Sequence, residues 1–535
     1  MSRAILAIDQ GTTGTTCLVL GEEGGVLGRA YSEFTQHFPR PGWVEHDALE
    51  IWEVTRRVAR AAVESTPESR AASVQAIGIT NQRETVVVWD RSTLQPVHNA
   101  IVWQDRRTAP LCRELKAAGH EALFRERTGL VLDPYFSGTK LTWLLREHPE
   151  LSRRAEAGEL AAGTIDCWLI ACLTRGTVHA TDPTNASRTL LYDLGERAWD
   201  RELMGILGVP RGMLPDVRPS SGSFGLAHGD GLGFEAPIAG VAGDQQAALF
   251  GQGCWSAGLA KNTYGTGAFL LLHTGEERVV SKRGLLTTAA CDERGGPAFA
   301  LEGAIFIAGA AVQWLRDGIG ILSTAAESED RARELEGNDG VYFVPAFVGL
   351  GAPHWEPEAR GTLVGLTRGT TRAHLARAAL EAMAYSTADV LHAMEVDSGV
   401  RATELRVDGG AALNDWLMEF QAGILGLPVR RPALVETTAL GAAGLAGLAE
   451  GVWANGAEFL AAQGSPDVFL PSMSEEARRR DTEGWSRALA AARTWAKAAE
   501  AAAVGEGGAR GRGGSGRVGA NPTPGSRERP GESAP

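Results

Sequence analysis

The sequence predicts an α/β protein built as two domains of similar design, with a nucleotide cleft between them. Three observations carry this reading. A Gly/Thr-rich turn, Asp9-Gln10-Gly11-Thr12-Thr13-Gly14-Thr15-Thr16, lies between the apolar runs 4–8 and 17–20. A second turn, Gly265-Thr266-Gly267, follows Lys261-Asn262-Thr263-Tyr264 and runs into the apolar stretch 268–272, in the other half of the chain. A third, Asp408-Gly409-Gly410, ends the strand pattern of residues 404–407.

In the first turn the glycines let backbone approach a bulky anion, and successive amides and hydroxyls can donate to phosphate oxygens. Asp9 leaves the strand just before the turn, where a Mg²⁺ ion riding on those phosphates needs an anionic neighbour. Taken alone, the segment reads equally as a Thr-rich β-hairpin with no ligand. It is a poor match to a Walker loop, because no Gly-Lys-Ser/Thr opens a helix there. The second turn repeats the design, and the third leads to a helix expected to start near Leu413-Asn414. Glycines at that turn permit close approach to a nucleoside, and Asn414 can hydrogen-bond a base or sugar edge. Together the three turns point to ATP.

The acceptor side is read from other segments. A strand over 74–79 ends in Thr80-Asn81-Gln82-Arg83-Glu84 before another strand over 85–89. Arg83 and Glu84 offer a forked donor beside a double acceptor, which suits adjacent hydroxyls. A surface ion pair is the plainer reading. Ile101-Val102-Trp103-Gln104-Asp105-Arg106-Arg107 sets an indole beside polar groups, and an indole packs against the C–H face of a polyol or simply fills a core. Tyr135 adds a hydroxyl. In Val241-Ala242-Gly243-Asp244-Gln245-Gln246 a carboxylate follows an apolar stretch, placed to take the proton of an attacking hydroxyl while the amide holds a neighbouring one.

Four long segments then acquire a family context. Pro41-Gly42-Trp43-Val44-Glu45-His46-Asp47, Gly78-Ile79-Thr80-Asn81-Gln82-Arg83-Glu84-Thr85, Ala242-Gly243-Asp244-Gln245-Gln246-Ala247-Ala248-Leu249-Phe250-Gly251 and Lys261-Asn262-Thr263-Tyr264-Gly265-Thr266-Gly267 closely resemble the FGGY carbohydrate kinases of the actin-like ATPase superfamily, in particular their glycerol branch. The resemblance spans residues 5–495. It implies two actin-like (ribonuclease H-like) domains with the cleft between them: 1–253 with the polyol site and first phosphate loop, and 254–500 with the second phosphate loop and adenosine site. It implies Mg²⁺- and ATP-dependent phosphorylation of glycerol to sn-glycerol 3-phosphate, in a cytoplasmic enzyme of glycerol metabolism that assembles as a homodimer or homotetramer. Glycerol contacts carry over to Arg83, Glu84, Trp103, Tyr135, Asp244 and Gln245, with Asp244 as base and Asp9 as the metal's carboxylate. Nucleotide contacts carry over to Thr12, Thr13, Gly14, Thr16, Thr266, Gly309, Gln313, Gly410 and Asn414.

Some positions depart from the family pattern. Thr16 stands where the family usually has Arg, and Gly14 where it usually has Ser, so one cation is missing near the phosphates. Amides and metal still do most of the neutralising. Glu235 replaces the Arg of enzymes inhibited by fructose 1,6-bisphosphate, and a carboxylate repels that effector. His228 lies near the position phosphorylated in some relatives but does not align with it.

Composition fits this picture. The chain has 535 residues, enough for three or four units of about 150 residues. Its formal charge of −13 argues against a nucleic-acid binder. The six cysteines (17, 112, 167, 172, 254 and 291) form no Cys-x-x-Cys pair and read as reduced core residues. No secretory or membrane-spanning segment is expected.

Helix signals complete the pass. Asp47 caps a helix over 48–64 with Ile51, Val54 and Val58 on one face. Residues 373–394 form a long helix pattern. The small-residue run 438–449 packs closely, either as a hinge helix of the superfamily or merely as a tight contact. From 501 the chain is expected to be a disordered Gly/Pro/Arg-rich tail. The competing functions are a sibling kinase for another polyol or ketose, an actin-like ATPase that binds or polymerises, and an inactive regulatory relative.

Overall fold

The computed structural model describes residues 2–509, and side chains through 498. Strands β1 (Arg3–Gln10), β2 (Gly14–Gly21) and β3 (Val26–Glu33) form an antiparallel meander. Strand Ser73–Asn81 adds parallel to β1, and Ala236–Gly243 adds parallel to Ser73–Asn81. The six-stranded sheet is completed by Leu226–Ala227.

The second half repeats the arrangement. Leu259–Tyr264 and Ala268–Gly275 form the hairpin, and Glu404–Gly409 adds parallel to its first strand, followed by Val429–Arg431. This sheet has seven strands, ordered Leu286–Cys291, Pro297–Ile305, Ala268–Gly275, Leu259–Tyr264, Glu404–Gly409, Val429–Arg431 and Asp467–Phe469. Two mixed sheets, each opening with a Gly/Thr hairpin, are the design that the two turns predict.

Both faces of the first sheet are covered, which is why β1 reads as an unbroken apolar run. Leu6 and Ile8 pack with α1 (Ala48–Glu64) and the helix Ile165–Leu173 on one face. Ile5 and Ala7 pack on the other with the helix Thr437–Ala449. That helix lies so close that Gly78 leaves no room for a side chain: a Cβ there would fall 2.2 Å from the Ala442 carbonyl. A Cβ at Gly441 would fall 1.8 Å from the Ala247 carbonyl. The small-residue run therefore does pack tightly, and it ties the second half of the chain to the first sheet.

Asp47 caps α1 over the expected residues, its carboxylate accepting from the amides of Leu49 and Glu50. The long helix is Arg372–Ser398. The helix expected near Leu413-Asn414 starts at Asp415, after a 3₁₀ turn over Gly410–Leu413. The last helix, Glu475–Ala509, continues past residue 501. Ala501, Ala502 and Ala503 extend an alanine-rich segment of high helix propensity, and that outweighs the composition change beyond. The remainder of the expected tail, 510–535, lies outside the described residues. All six cysteines are free thiols.

Candidate functional site

Three neighbouring parallel strands deliver the acceptor-side residues. Pairing aligns Asp9 with Thr80, and Asn81 with Gly243, so residues just beyond these strand ends share one edge. The carboxyl edge of such a sheet is where open α/β proteins bind ligands.

Arg83 and Glu84 are not a surface pair. Both are buried, and their own closest approach is 3.9 Å. Each is held by a different partner. Arg83 Nη1 donates to Glu302 at 2.5 Å, and its Nε lies 2.9 Å from Asp244 Oδ1. Glu84 accepts from Arg188 Nε at 2.6 Å, and Arg188 Nη2 donates to Glu302 at 3.0 Å. Arg83 and Glu84 lie in the bend between strands Ser73–Asn81 and Val86–Asp90, and both join one network. Glu84 allows this by adopting φ +62°, a left-handed conformation that is costly for a side chain bearing a Cβ.

The network separates the two buried glutamates. Burial alone would raise Glu302, but Arg188 and Arg83 outweigh it and hold its carboxyl at about 2. At Glu84 burial wins over Arg188 and the more distant Arg83, so its carboxyl lies above the usual glutamate value.

Asp244 opens the helix Asp244–Gly251, and a third of its side chain stays exposed. It is the one member of this group that solvent or a substrate reaches readily. Gln245 follows, with its side-chain carbonyl accepting from Lys261 Nζ, which also donates to Thr263 at 2.8 Å. That leaves the Gln245 NH₂ as the free end of the amide. Burial pushes the Lys261 ammonium down to about 8, against the pull of Asp408 and Asp244.

Trp103 joins the two halves of the expected site. Its indole N–H donates to Thr12 Oγ1 at 2.9 Å, and its ring meets Tyr135 edge to face, 5.5 Å between centroids. The aromatic wall thus stands directly against the first phosphate loop. In that loop the Gly11 amide donates to the Gly14 carbonyl at 2.9 Å, closing the turn between β1 and β2. A Cβ at Gly14 would lie 2.7 Å from the Ser32 carbonyl and from the Tyr31 ring, so this chain has no room for a serine there without rearrangement. Thr16 is paired with Asp9 on one side and with Tyr31 on the other.

Asp9 is half-buried at the strand end. Burial first, and then the charge of Asp244, push its carboxyl up to about 7. A buried carboxylate whose charged form is opposed in this way is a donor that a divalent cation relieves. That suits Mg²⁺, which takes one or two carboxylates and completes its octahedron with water and phosphate oxygens.

On the nucleotide side, Thr266 and Gly265 are exposed at the tip of the second hairpin. The short helix Gly309–Gln313 docks onto that tip, with the amides of Ala308 and Ala310 donating to the Thr266 carbonyl. The Gly309 amide is engaged within this contact, donating to the Gly265 carbonyl at 3.0 Å. Gly309 is needed for that contact, since a Cβ would lie 2.6 Å from the same carbonyl. Gln313, at the end of the helix, is exposed. Gly410 is exposed with open space where a Cβ would be. The tight turn depends instead on Gly409, at φ +83°. Asn414 caps the helix Asp415–Leu425, its Oδ1 accepting from the Leu417 amide at 2.9 Å, while its Nδ2 donates to Ser328 Oγ at 3.4 Å and keeps its second hydrogen for a ligand.

Sequence reasoning missed Arg188, Glu302 and Lys261. The last two carry a signal: each is the single charge in its strand, Glu302 in the otherwise apolar Pro297–Ile305 and Lys261 in Leu259–Tyr264. Such a charge is buried only at the cost of a partner. Arg188 has no such mark, since its polar neighbours read as a loop. His228 faces Glu235 at 3.9 Å.

Comparison with known proteins covers both halves of the chain. The model of the FGGY family of carbohydrate kinases, N-terminal domain, matches residues 4–251, and that of the C-terminal domain matches 260–450. The chain is 56% identical over 494 residues to a glycerol kinase of Dechloromonas aromatica, covering 92% of this chain and 98% of that protein. It is 56% identical over 498 residues to a glycerol kinase of Deinococcus radiodurans, covering 93% and 99%. Among solved structures, glycerol kinase of Plasmodium falciparum with ADP superposes with a TM-score of 0.87 at 36% identity, covering 92% of this chain and 98% of that one.

Proposed function

The chain belongs to the FGGY family of carbohydrate kinases, and from that premise we propose that it transfers the terminal phosphoryl group of ATP to a terminal hydroxyl of glycerol, giving sn-glycerol 3-phosphate. The observation that carries the chemistry is the contact between Arg83 Nε and Asp244 Oδ1 at 2.9 Å. It joins a forked hydroxyl-binding group to a partly exposed carboxylate at the edge where β1 and the first phosphate loop end.

In this reading Arg83, Glu84 and the free NH₂ of Gln245 hold the triol. Trp103 and Tyr135 cover its carbon face. Asp244 accepts the proton as the hydroxyl oxygen attacks phosphorus, and Arg83 keeps that carboxylate aimed at the hydroxyl. Thr12, Thr13, Gly14, Thr16 and Thr266 surround the phosphates, while Gly309, Gln313, Gly410 and Asn414 border the nucleoside. Asp9 is the carboxylate for Mg²⁺, which neutralises phosphate charge when bound with ATP. Closure of the two halves over the substrates would exclude water as a competing acceptor. We assign the polyol site and first loop to residues 1–253, and the second loop and adenosine site to 254–500. No described helix is long and apolar enough to cross a membrane, and we read the enzyme as a cytoplasmic homo-oligomer.

The test is ADP release with Mg·ATP and glycerol, compared with xylulose, ribulose, erythritol and no acceptor. Strong stimulation by glycerol alone is the expected result. Stimulation by another acceptor assigns the chain to a sibling activity, and silence with all of them removes the kinase reading.

A further inference from the structure

The segment Pro41-Gly42-Trp43-Val44-Glu45-His46-Asp47 has no place in the substrate contacts above, yet its His46 is fully buried, directly behind the first phosphate loop. His46 Nε2 lies 2.7 Å from Gln36 Oε1, and its Nδ1 lies 3.4 Å from Gln82 Nε2. The amides on either side fix the tautomer. Gln36 Nε2 donates to the Thr12 carbonyl at 3.0 Å, so Gln36 turns its oxygen to the imidazole, and Nε2 must carry the hydrogen. Nδ1 is then bare and is an acceptor for Gln82 Nε2, whose two hydrogens it shares with the Gly11 carbonyl and Gln10 Oε1, each at 3.1 Å. Burial, and then the nearby His37, hold this imidazole at about 4, so it is neutral at ordinary pH.

The same amides hold the loop's backbone. The Gly11 carbonyl accepts from Gln10 Nε2 at 2.8 Å and from Gln82 Nε2 at 3.1 Å. The Thr12 carbonyl accepts from Gln36, and the Thr13 carbonyl from the Phe34 amide at 3.3 Å. Three consecutive carbonyls are thus tied inward. The amides of Thr12 and Thr13 have no acceptor among the described residues. Consecutive amides left free in this way are what an anion-binding nest requires. The chain of contacts also runs to the polyol wall: Thr85 Oγ1 donates to Gln82 Oε1 at 2.9 Å and accepts from the Trp103 amide at 3.2 Å.

We propose that His46 is a positioning residue for phosphoryl transfer: through Gln36 and Gln82 it fixes the inward carbonyls of Gly11 and Thr12, and through Gln82 and Thr85 it couples their loop to Trp103. The inference rests on the assignment of this loop to the ATP phosphates. It touches no substrate itself, and its effect is to pre-set amide directions before ATP arrives.

The test uses the full chain with His46→Gln, His46→Asn, Gln36→Met and the double variant His46→Asn with Gln36→Met. A glutamine reproduces the Nε2–H donor toward Gln36, whereas an asparagine is too short to reach it. The expected result is a rise in the KM for ATP, and in the dissociation constant for Mg·ADP by calorimetry, of about five-fold in Gln36→Met and in His46→Asn, the size of one lost neutral hydrogen bond. His46→Gln should restore near-parent values, and the double variant should be no worse than either single change. Unchanged nucleotide affinity in Gln36→Met and His46→Asn overturns the proposal. So does an equal loss in His46→Gln and His46→Asn tracking a lowered melting temperature, which marks His46 as core filling only. Should the parent release no ADP with any polyol, the proposed activity fails, and the Mg·ADP affinities still decide this inference.

Discussion

Glu302 reaches from strand Pro297–Ile305 in the second half of the chain to chelate Arg83 in the first, at 2.5 Å to Nη1 and 3.3 Å to Nη2. Arg188 shares the same carboxylate. One buried acid therefore fixes two guanidiniums, one of which faces Asp244, the proposed base. Removing it leaves two buried cations against Glu84 and the partly exposed Asp244.

Glu302→Gln keeps the shape and deletes the charge. Breaking a buried pair of this kind costs about 3–5 kcal/mol of stability. It should also loosen Arg83, raising the KM for glycerol roughly ten-fold, as loss of a charged hydrogen bond does, while leaving the KM for ATP much less affected. Steady-state kinetics with each substrate varied, together with thermal melting, check this. An unchanged glycerol KM in the folded variant would detach Glu302 from the acceptor site.

Asp244→Asn retains size and polarity but cannot take a proton. Loss of a general base lowers kcat by about 10²–10⁴-fold. Because the side chain borders the acceptor and not the nucleoside, the dissociation constant for ADP should stay within about two-fold of the parent's, the two effects being separable as in any difference measurement of this kind. Rapid-quench turnover and calorimetry read the two quantities. Normal turnover would remove Asp244 from its role.

Much of this arrangement is legible in the sequence because the turns are local. Asp9 to Thr16, Gly265 to Gly267 and Asp408 to Gly410 each announce a strand end by a change from apolar to Gly/Thr or Asp/Gly, and the strands are where that pattern puts them. Arg83, Glu84 and Asp244 are legible for the same reason, at the ends of apolar runs. What is not local is not legible. Arg188 and Glu302 are 114 residues apart and meet only when the two halves fold together. The Gly309 amide is engaged by a carbonyl 44 residues earlier, which no window around Gly309 contains. The last helix runs past 501 because alanines carry helix beyond the point where composition changes.

Gly441 tests the contact between the helix Thr437–Ala449 and the helix Asp244–Gly251. A Cβ there would fall 1.8 Å from the backbone carbonyl of Ala247, and that atom cannot turn aside as a side chain can. Gly441→Ala must part the two helices. The usual gain in helix propensity is outweighed by overpacking of about 1–3 kcal/mol. Because Ala247 lies on the helix that begins with Asp244, kcat should fall along with stability. Thermal melting and turnover check the pair of effects. A stabilised, fully active variant would show that the helices part without consequence.

Acid should destabilise the fold in part through His179. Its Nε2 lies 3.0 Å from the Ala162 carbonyl, and its ring meets Trp89 edge to face at 5.2 Å. Burial, and then Arg91, hold the imidazole at about 4, against an ordinary 6.5. Between these values the unfolded chain binds a proton that the folded chain refuses. The stability from this group is therefore full above 6.5 and is lost as pH falls toward 4. His46 contributes the same sign, also from burial. Asp166 opposes both. Burial pushes it up to about 7 from 3.8, so its contribution is full below 3.8 and is lost as pH rises through about 7. The parent's own pH curve mixes these slopes, and a difference measurement isolates one. His179→Gln keeps a donor for Ala162 and cannot charge. Its unfolding free energy in denaturant should drop less than the parent's between about pH 6.5 and pH 4.5, as the linkage relation requires. Parallel curves for the two proteins would show that His179 takes up no extra proton on unfolding.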